Sequence, residues 1–358
     1  MKQVLIVIIL ISNCLQLRAQ KQPVDAGTLL ENMSAAISRN EYPGIHSISV
    51  LVADSLIYEQ YFNEFSPDSL HDSRSSFKSI TALLLGIAID KGFIKSTDKK
   101  VYDFLPEYAS LLINDPLRKQ LTIQHLLDMQ SGFDCEEFNG TKDCEDEMAG
   151  SNNWVKFSLE RPMKDTPGKV FAYTSCNPVI IGGIISRTTN MSVMSFARQY
   201  LFDPLGITDY KWTVDPSGNG MTGGSFYIKP ADLLKIGRLV RDEGKWNGNQ
   251  IVSKKWIKAV NNVGIPIPQF SFAKVSQSSL LIPQQTFYGN YWYREVLETP
   301  NLHEELLFAS GNGGQYIFVI KRLNAVIVFT QGNYSSWKAK QAFELLGKYI
   351  IPALRNSR

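Results

Sequence analysis

The feature that most constrains this chain is where its strand-like and helix-like segments fall. Residues 46–62 (HSISVLVADSLIYEQYF) alternate apolar and polar side chains about Ala53-Asp54-Ser55, the pattern of a β-hairpin. Strand patterns return only near the other end, in GNYWYREVL, ELLFASG, GQYIFVIKRL and NAVIVFTQG, the last two split by a short polar break. From about Tyr102 to Trp212 the chain reads as helices and loops, including LTIQHLLDMQSG with a Gly stop, NPVIIGGIISRTTN opening on Asn177 as cap, and SVMSFARQYLFDPLG. KPADLLKIGRLVRDEG and SKKWIKAV are also helical, and KAKQAFELLGKYIIPAL is an amphipathic C-terminal helix. Strands at both ends around a block of helices argue against a doubly wound parallel sheet. The expected fold class is α/β, an α+β sandwich: one antiparallel sheet built from both chain ends, flanked by helices, with an inserted all-α domain. The expected boundaries are 20–101 and 213–358 for the sheet domain and 102–212 for the insertion.

The first 19 residues read as a signal peptide, with Lys2 as the positive flank and an apolar run from Val4 to Ile11 too short to span a bilayer. Export to the periplasm or medium follows as an expectation. The alternative is a lipoprotein site at Cys14, for which Asn13 is a poor fit. No other apolar run is long enough to span a membrane. The net charge of +3, with both signs mixed, gives no footprint for nucleic acid. Cys135 and Cys144 flank an acidic loop, and in an exported protein they can pair and staple it; two free thiols are the other reading. His46, His71, His125 and His303 are scattered, and no Cys-x-x-Cys or His-Glu-x-x-His occurs, so no metal or cofactor is expected.

Ser-x-x-Lys occurs four times, at Ser75–Lys78, Ser96–Lys99, Ser271–Lys274 and Ser335–Lys338. A serine hydroxyl needs a neighbouring base. Ser and Lys three apart on a helix share a face, and burial helps such a lysine lose its proton. Only Lys78 lies in the first turn of a helix apolar nearly all round, Ile80 to Ile89, ended by Gly92. Ser96 and Ser271 lead into polar sequence read as non-helical, and the helix after Ser335 carries Lys338, Lys340 and Lys348 and reads as solvated. Ser75 at a helix start also has free backbone N–H groups nearby. The bland alternative is an N-cap serine and a snorkelling lysine.

The words SSFKSITALLLGIAIDKGFI, LTIQHLLDMQSGFD, PGKVFAYTSCNPVIIGGII, YLFDPLGITDYKW and FASGNGGQYIFVI, in this order, cover nearly all of the mature chain. They resemble the serine β-lactamase-like superfamily, in its class C β-lactamase, DD-peptidase and 6-aminohexanoate-dimer hydrolase-type esterase branch. The resemblance implies the β-lactamase/transpeptidase-like fold, with Ser75 as acylated nucleophile, Lys78 as its base partner and Tyr173 as catalytic tyrosine. Ser175 falls where a residue bonding the lysine or the substrate is expected. His125 reads as structural. The third motif, Lys-Thr-Gly or His-x-Gly in relatives, is matched to Asn312-Gly313-Gly314, without the cation. Gly311, Gly313 and Gly314 would let a substrate lie close to an edge strand, and the Gln315 amide would pair with that of Ser75 as an oxyanion hole.

The implied function is an exported serine hydrolase acting on a small-molecule ester, amide or peptide. DD-peptidase or β-lactamase activity is an alternative, and so is a catalytically weak binding module of the penicillin-recognising fold. Two routes to a base near neutral pH follow. Burial deprotonates Lys78, or its ammonium favours a Tyr173 tyrosinate. The natural substrate and the oligomeric state are not legible.

Overall fold

The two ends of the chain meet in one sheet. The computed structural model describes residues 25–137 and 144–356; the expected signal peptide and Cys14 lie outside the described residues. The N-terminal side supplies β1 (Ile45–Val52) and β2 (Ser55–Tyr61). The C-terminal side supplies β3 (Ile265–Pro266), β4 (Phe287–Gly289), β5 (Trp292–Thr299), β6 (Leu302–Gly311), β7 (Gln315–Ile320) and β8 (Ala325–Gln331). They form an eight-stranded antiparallel sheet in the order β2-β1-β8-β7-β6-β5-β4-β3. The sequence pattern anticipated this architecture. β1 closes it by pairing with β8 from Val52↔Ala325 to Ser47↔Thr330.

The longest helices among the described residues are α1 (Ala26–Ser38), α2 (Phe77–Asp90), α3 (Cys176–Thr189) and α4 (Pro230–Arg241). Every residue of β7 and β8 is buried, so both strands read as unbroken apolar runs, the mark of a sheet covered on two faces. Alternate side chains serve alternate faces. Ile317 and Val326 pack under α4, where a Cβ on Gly237 would lie 2.4 Å from Val326 Cγ1. Tyr316 and Phe318 point the other way and pack around Phe343 of the C-terminal helical segment. That segment was expected to be amphipathic. Most of it is buried, because it lies between the sheet and α1. A second, three-stranded sheet of His71–Asp72, Phe226–Ile228 and Tyr210–Trp212 was not anticipated. Strands of two or three residues are too short to show a period.

α2 runs between the large sheet and α3, touching both. All of Phe77 to Ala88 is buried, which accounts for its lack of a polar face. Gly92 (φ 79°) follows its end. Within α2, Gly86 faces Trp256, whose Nε1 donates to Ala82 O at 2.9 Å; a Cβ on Gly86 would lie 2.2 Å from the ring. Helix propensity alone favours alanine by about 1 kcal/mol, whereas overpacking a core costs about 1–3 kcal/mol. The indole is pinned by its hydrogen bond, so Gly86→Ala is expected to lower the midpoint of thermal or urea unfolding. An unchanged midpoint would mean that Trp256 withdraws without cost.

Candidate active site

The turn before α2 is built with a left-handed residue. Arg74 has φ 47°, an uncommon conformation for a side chain with a Cβ. Asp72 holds it there: Arg74 N donates to Asp72 Oδ1 at 2.9 Å, and Arg74 Nε lies 2.9 Å from Asp72 Oδ2. Two glycines let neighbouring backbone close on the turn. A Cβ on Gly311 would lie 2.4 Å from Ser73 O, and one on Gly224 would lie 3.3 Å from the Arg74 carbonyl carbon. Ser75 follows in a 3-10 turn, Arg74–Ser76, and stays partly exposed at the head of α2.

Lys78 is buried beneath it. Its Nζ donates to Ser75 Oγ at 2.9 Å, to Ser175 Oγ at 3.0 Å and to Gly223 O at 2.8 Å. Burial pushes the Lys78 pKa down, while the Glu145 and Glu137 carboxylates pull it back up; the net direction is down. Lys78 Nζ sits 5.0 Å from the centroid of the Tyr173 ring. The Tyr173 hydroxyl hydrogen-bonds Ser75 and Tyr293. Its pKa is raised, chiefly by burial and further by Glu137 and Glu145. The sequence-based route through a tyrosinate therefore runs against the electrostatics, because burial and the two carboxylates favour the protonated phenol.

Ser175 joins this group from the other side. α3 begins at Cys176 and Ser175 is its cap, so Asn177, expected as the cap, lies buried inside the first turn. The helix start is held differently from a serine cap. Ser175 N donates to Glu137 Oε1 at 2.5 Å, and Cys176 N donates to Thr174 Oγ1 at 3.2 Å. With the cap supplied by a carboxylate, the Ser175 hydroxyl is free to accept from Lys78 and donate to Glu137 Oε2 at 3.1 Å or Glu145 Oε2 at 3.2 Å. Glu137 and Glu145 lie close in sequence to Cys135 and Cys144, which are joined in a disulfide, one of the two sequence readings. Cys176 is a buried free thiol.

The Asn312–Gln315 stretch joins β6 to β7, and both strands approach the Arg74–Ser76 turn. β6 is an interior strand, but β5 stops pairing at Tyr293↔Phe308, so Ala309–Gly311 run past it and leave an open edge against Ser73–Arg74. Asn312, Gly313 and Gly314 form the turn into β7. Asn312 Oδ1 accepts from Ser335 N at 2.9 Å. Gly313 and Gly314 have φ 85° and 97°, and packed on them are Tyr334 and Gln331. Gln315 pairs with Gly311 inside the β6–β7 ladder, and its side chain is bonded to Gln331. Of the three glycines singled out, Gly311 alone has its Cα packed on the turn that carries Ser75.

The rival Ser-x-x-Lys sites are occupied otherwise. Ser271 does start a helix, Phe272–Val275, against expectation, but as its cap and with its hydroxyl on buried Glu295; Lys274 is exposed. Ser96 binds Asp98. Ser335 has φ 52°, and Lys338 is exposed. His125 forms a capping box with Thr122, the structural role anticipated for it.

Sequence reasoning missed Glu137, Glu145, Gly223 and Tyr293. The first two carried one signal, their places just inside Cys135 and just beyond Cys144. Gly223 contributes a backbone carbonyl, and a side-chain pattern cannot show that.

A partly exposed serine bonded to a buried lysine, with a tyrosine and a second serine on the same groups, at the seam of an antiparallel sheet and a helical layer, is the arrangement of a serine-type hydrolase. The profile of the Beta-lactamase family matches residues 34–348, and the chain belongs to that family. A 6-aminohexanoate-dimer hydrolase from Paenarthrobacter ureafaciens is 27% identical over 223 residues, 59% of this chain and 55% of that protein. The chain thus matches little more than half the length of that relative. Unliganded simvastatin synthase from Aspergillus terreus superposes with a TM-score of 0.70 at 15% identity, covering 93% of this chain and 99% of that one. D-amino acid amidase from Ochrobactrum anthropi SV3, complexed with L-phenylalanine, gives 0.67 at 17% identity, with 93% and 99% covered. These two likenesses establish the fold alone. Among the described residues, no helix is long and apolar enough to cross a membrane.

Proposed function

We propose that this protein cleaves a carboxylic ester or amide through an acyl-enzyme on Ser75. The observation that carries the reading is the buried Lys78 ammonium bonded at once to Ser75 Oγ and Ser175 Oγ. Ser75 Oγ attacks the carbonyl carbon, Lys78 receives its proton once it has itself shed one and become a neutral amine, and the leaving group departs protonated; water then releases the acyl group by the reverse path. The Ser75 amide and an amide at the open end of β6 stabilise the oxyanion. The name of the matched 6-aminohexanoate-dimer hydrolase supports an amide or related acyl substrate. The Cys135–Cys144 disulfide supports an exported protein.

The test is reaction with a fluorophosphonate followed by mass mapping. Modification of Ser75 is expected; modification elsewhere, or none, would overturn the reading. Ester cleavage is expected to exceed β-lactam cleavage. The open end of β6, Ala309-Ser310-Gly311, carries no cation for a substrate carboxylate, and Arg74 is paired with Asp72. Short-chain p-nitrophenyl esters and nitrocefin compared on one preparation decide the point, and faster nitrocefin turnover would contradict it.

A further inference from the structure

Resting on that reading, we infer that Glu137 takes the proton that Lys78 must lose before it can act as a base, and that the Ser175 hydroxyl carries it. Lys78 as an ammonium cannot accept a proton. All three of its N–H bonds are donated, to Ser75, Ser175 and Gly223, which is the geometry of an ammonium. Of the three acceptors, only Ser175 can pass a proton onward to a carboxylate. Its hydroxyl accepts from Lys78 at 3.0 Å and donates to Glu137 Oε2 at 3.1 Å. The other oxygen of Glu137 is fixed by Ser175 N at 2.5 Å and Thr174 Oγ1 at 3.4 Å, and the Glu137 amide donates to Tyr173 O at 2.9 Å. The carboxylate is thus oriented on Ser175 by the same segment that carries Tyr173.

The step balances. Ser175 gives its hydroxyl proton to Glu137 Oε2 and takes one from Lys78 Nζ. Ser175 ends unchanged, Glu137 ends as a neutral acid, and Lys78 ends as an amine whose lone pair, left facing Ser175, turns toward Ser75 Oγ by rotation about the Cε–Nζ bond. No net charge is created, which favours the transfer in a site from which water is largely excluded. The amine then takes the Ser75 proton as Oγ bonds to the carbonyl carbon. The ammonium so formed protonates the leaving group, and Glu137 returns its proton through Ser175.

Glu137 suits this exchange electrostatically. Burial, with the Glu145 carboxylate beside it, pushes its pKa up to about 7, against the pull of Lys78 and the hydrogen bonds from Ser175. The ionisable groups facing it are Lys78, Glu145, Tyr173, Cys176 and Tyr293. Of the neutral acids, Tyr173 and Tyr293 are raised and Cys176 is pushed up to about 11. Below the Glu137 pKa both Glu137 and Lys78 hold protons, and the relay stops. Above it they share one proton fewer, and the relay runs.

The experiment measures the rate of Ser75 modification by a fluorophosphonate from about pH 5 to 10 in the wild type, Glu137→Gln, Glu137→Asp and Glu145→Gln. Without the Glu137 carboxylate, Glu137→Gln must lose the Lys78 proton by a slower route, through Glu145 or to solvent, so its ascending limb moves to higher pH. Its deficit is expected to be about 10²-fold near pH 6 and less than about tenfold near pH 10, the scale of a general base. Glu137→Asp keeps a carboxylate, so its limb stays near the wild-type position at a lower rate. Glu145→Gln removes a neighbouring negative charge, so its limb moves to lower pH. A Glu137→Gln deficit constant across pH would mean a merely structural role and overturn the relay. A Glu137→Asp limb shifted like that of Glu137→Gln, or an alkaline shift confined to Glu145→Gln, would overturn it as well. A wild-type enzyme unlabelled at Ser75 would instead overturn the proposed function itself.

Discussion

Ser75→Ala is expected to lose on the order of 10⁶-fold in ester or amide turnover, the scale set by removing a nucleophile that works as one unit with its base. The size of the loss follows from what remains. Lys78, Ser175 and Tyr173 keep their places, and the backbone amide at position 75 is retained, so substrate binding and oxyanion stabilisation survive while the covalent step does not. The substitution removes one oxygen from a partly exposed position, so stability should change little. Steady-state turnover with a p-nitrophenyl ester checks the rate, and intact mass after fluorophosphonate treatment checks the adduct. A variant retaining a tenth of wild-type activity would show that water attacks without an acyl-enzyme or that another serine is used.

The second large effect is expected at Lys78 and Tyr173 together. Lys78→Ala and Tyr173→Phe should each lose at least about 10²-fold, as removal of a general acid–base group does. Lys78→Ala also strips the cation from two carboxylates near Ser175, so Lys78→Met is the better control for packing. Tyr173→Phe is nearly isosteric and deletes one hydroxyl that bridges Ser75 and Tyr293. Because both groups hydrogen-bond the Ser75 hydroxyl, the double variant should lose far less than the product of the single losses. Multiplicative losses would mean separate roles. A Tyr173→Phe enzyme with near-normal turnover would return that ring to the core, where it already packs edge-on against Tyr288.

The fold was legible because its central strands are long and buried on both faces. GQYIFVI and NAVIVFTQ have no other comfortable place than the middle of a covered sheet, and the apolar run after Lys78 has no solvent face to offer. The Ser75–Lys78 pair was legible for the same reason: burial distinguishes it from three identical patterns. Legibility failed where structure depends on backbone or on short segments. Asn312-Gly313-Gly314 was matched to a family motif expected on a strand, and the sequence did not show that its two glycines form the left-handed turn between β6 and β7. The cap of α3 was misplaced by two residues because the true cap group is a carboxylate some forty positions upstream. Glu137 read only as part of the acidic loop that Cys135 and Cys144 flank, and Glu145 was not singled out, since nothing local shows that both lie against Ser175.

The pairing of β1 with β8 carries a consequence for how the protein matures. A ribosome delivers β1, the Ser75 turn and α2 long before it delivers Gly223, the end of β6 or β8 itself. Until then the nascent hairpin has one unzipped side, and Lys78 lacks one of the acceptors that fix it. Joining distant segments is slow relative to local folding, although its entropic cost grows only with the logarithm of the separation. Reactivity at Ser75 should therefore switch on late and abruptly, with completion of the last strand. A labelling reagent added to a timed translation would read this as a lag followed by a single step.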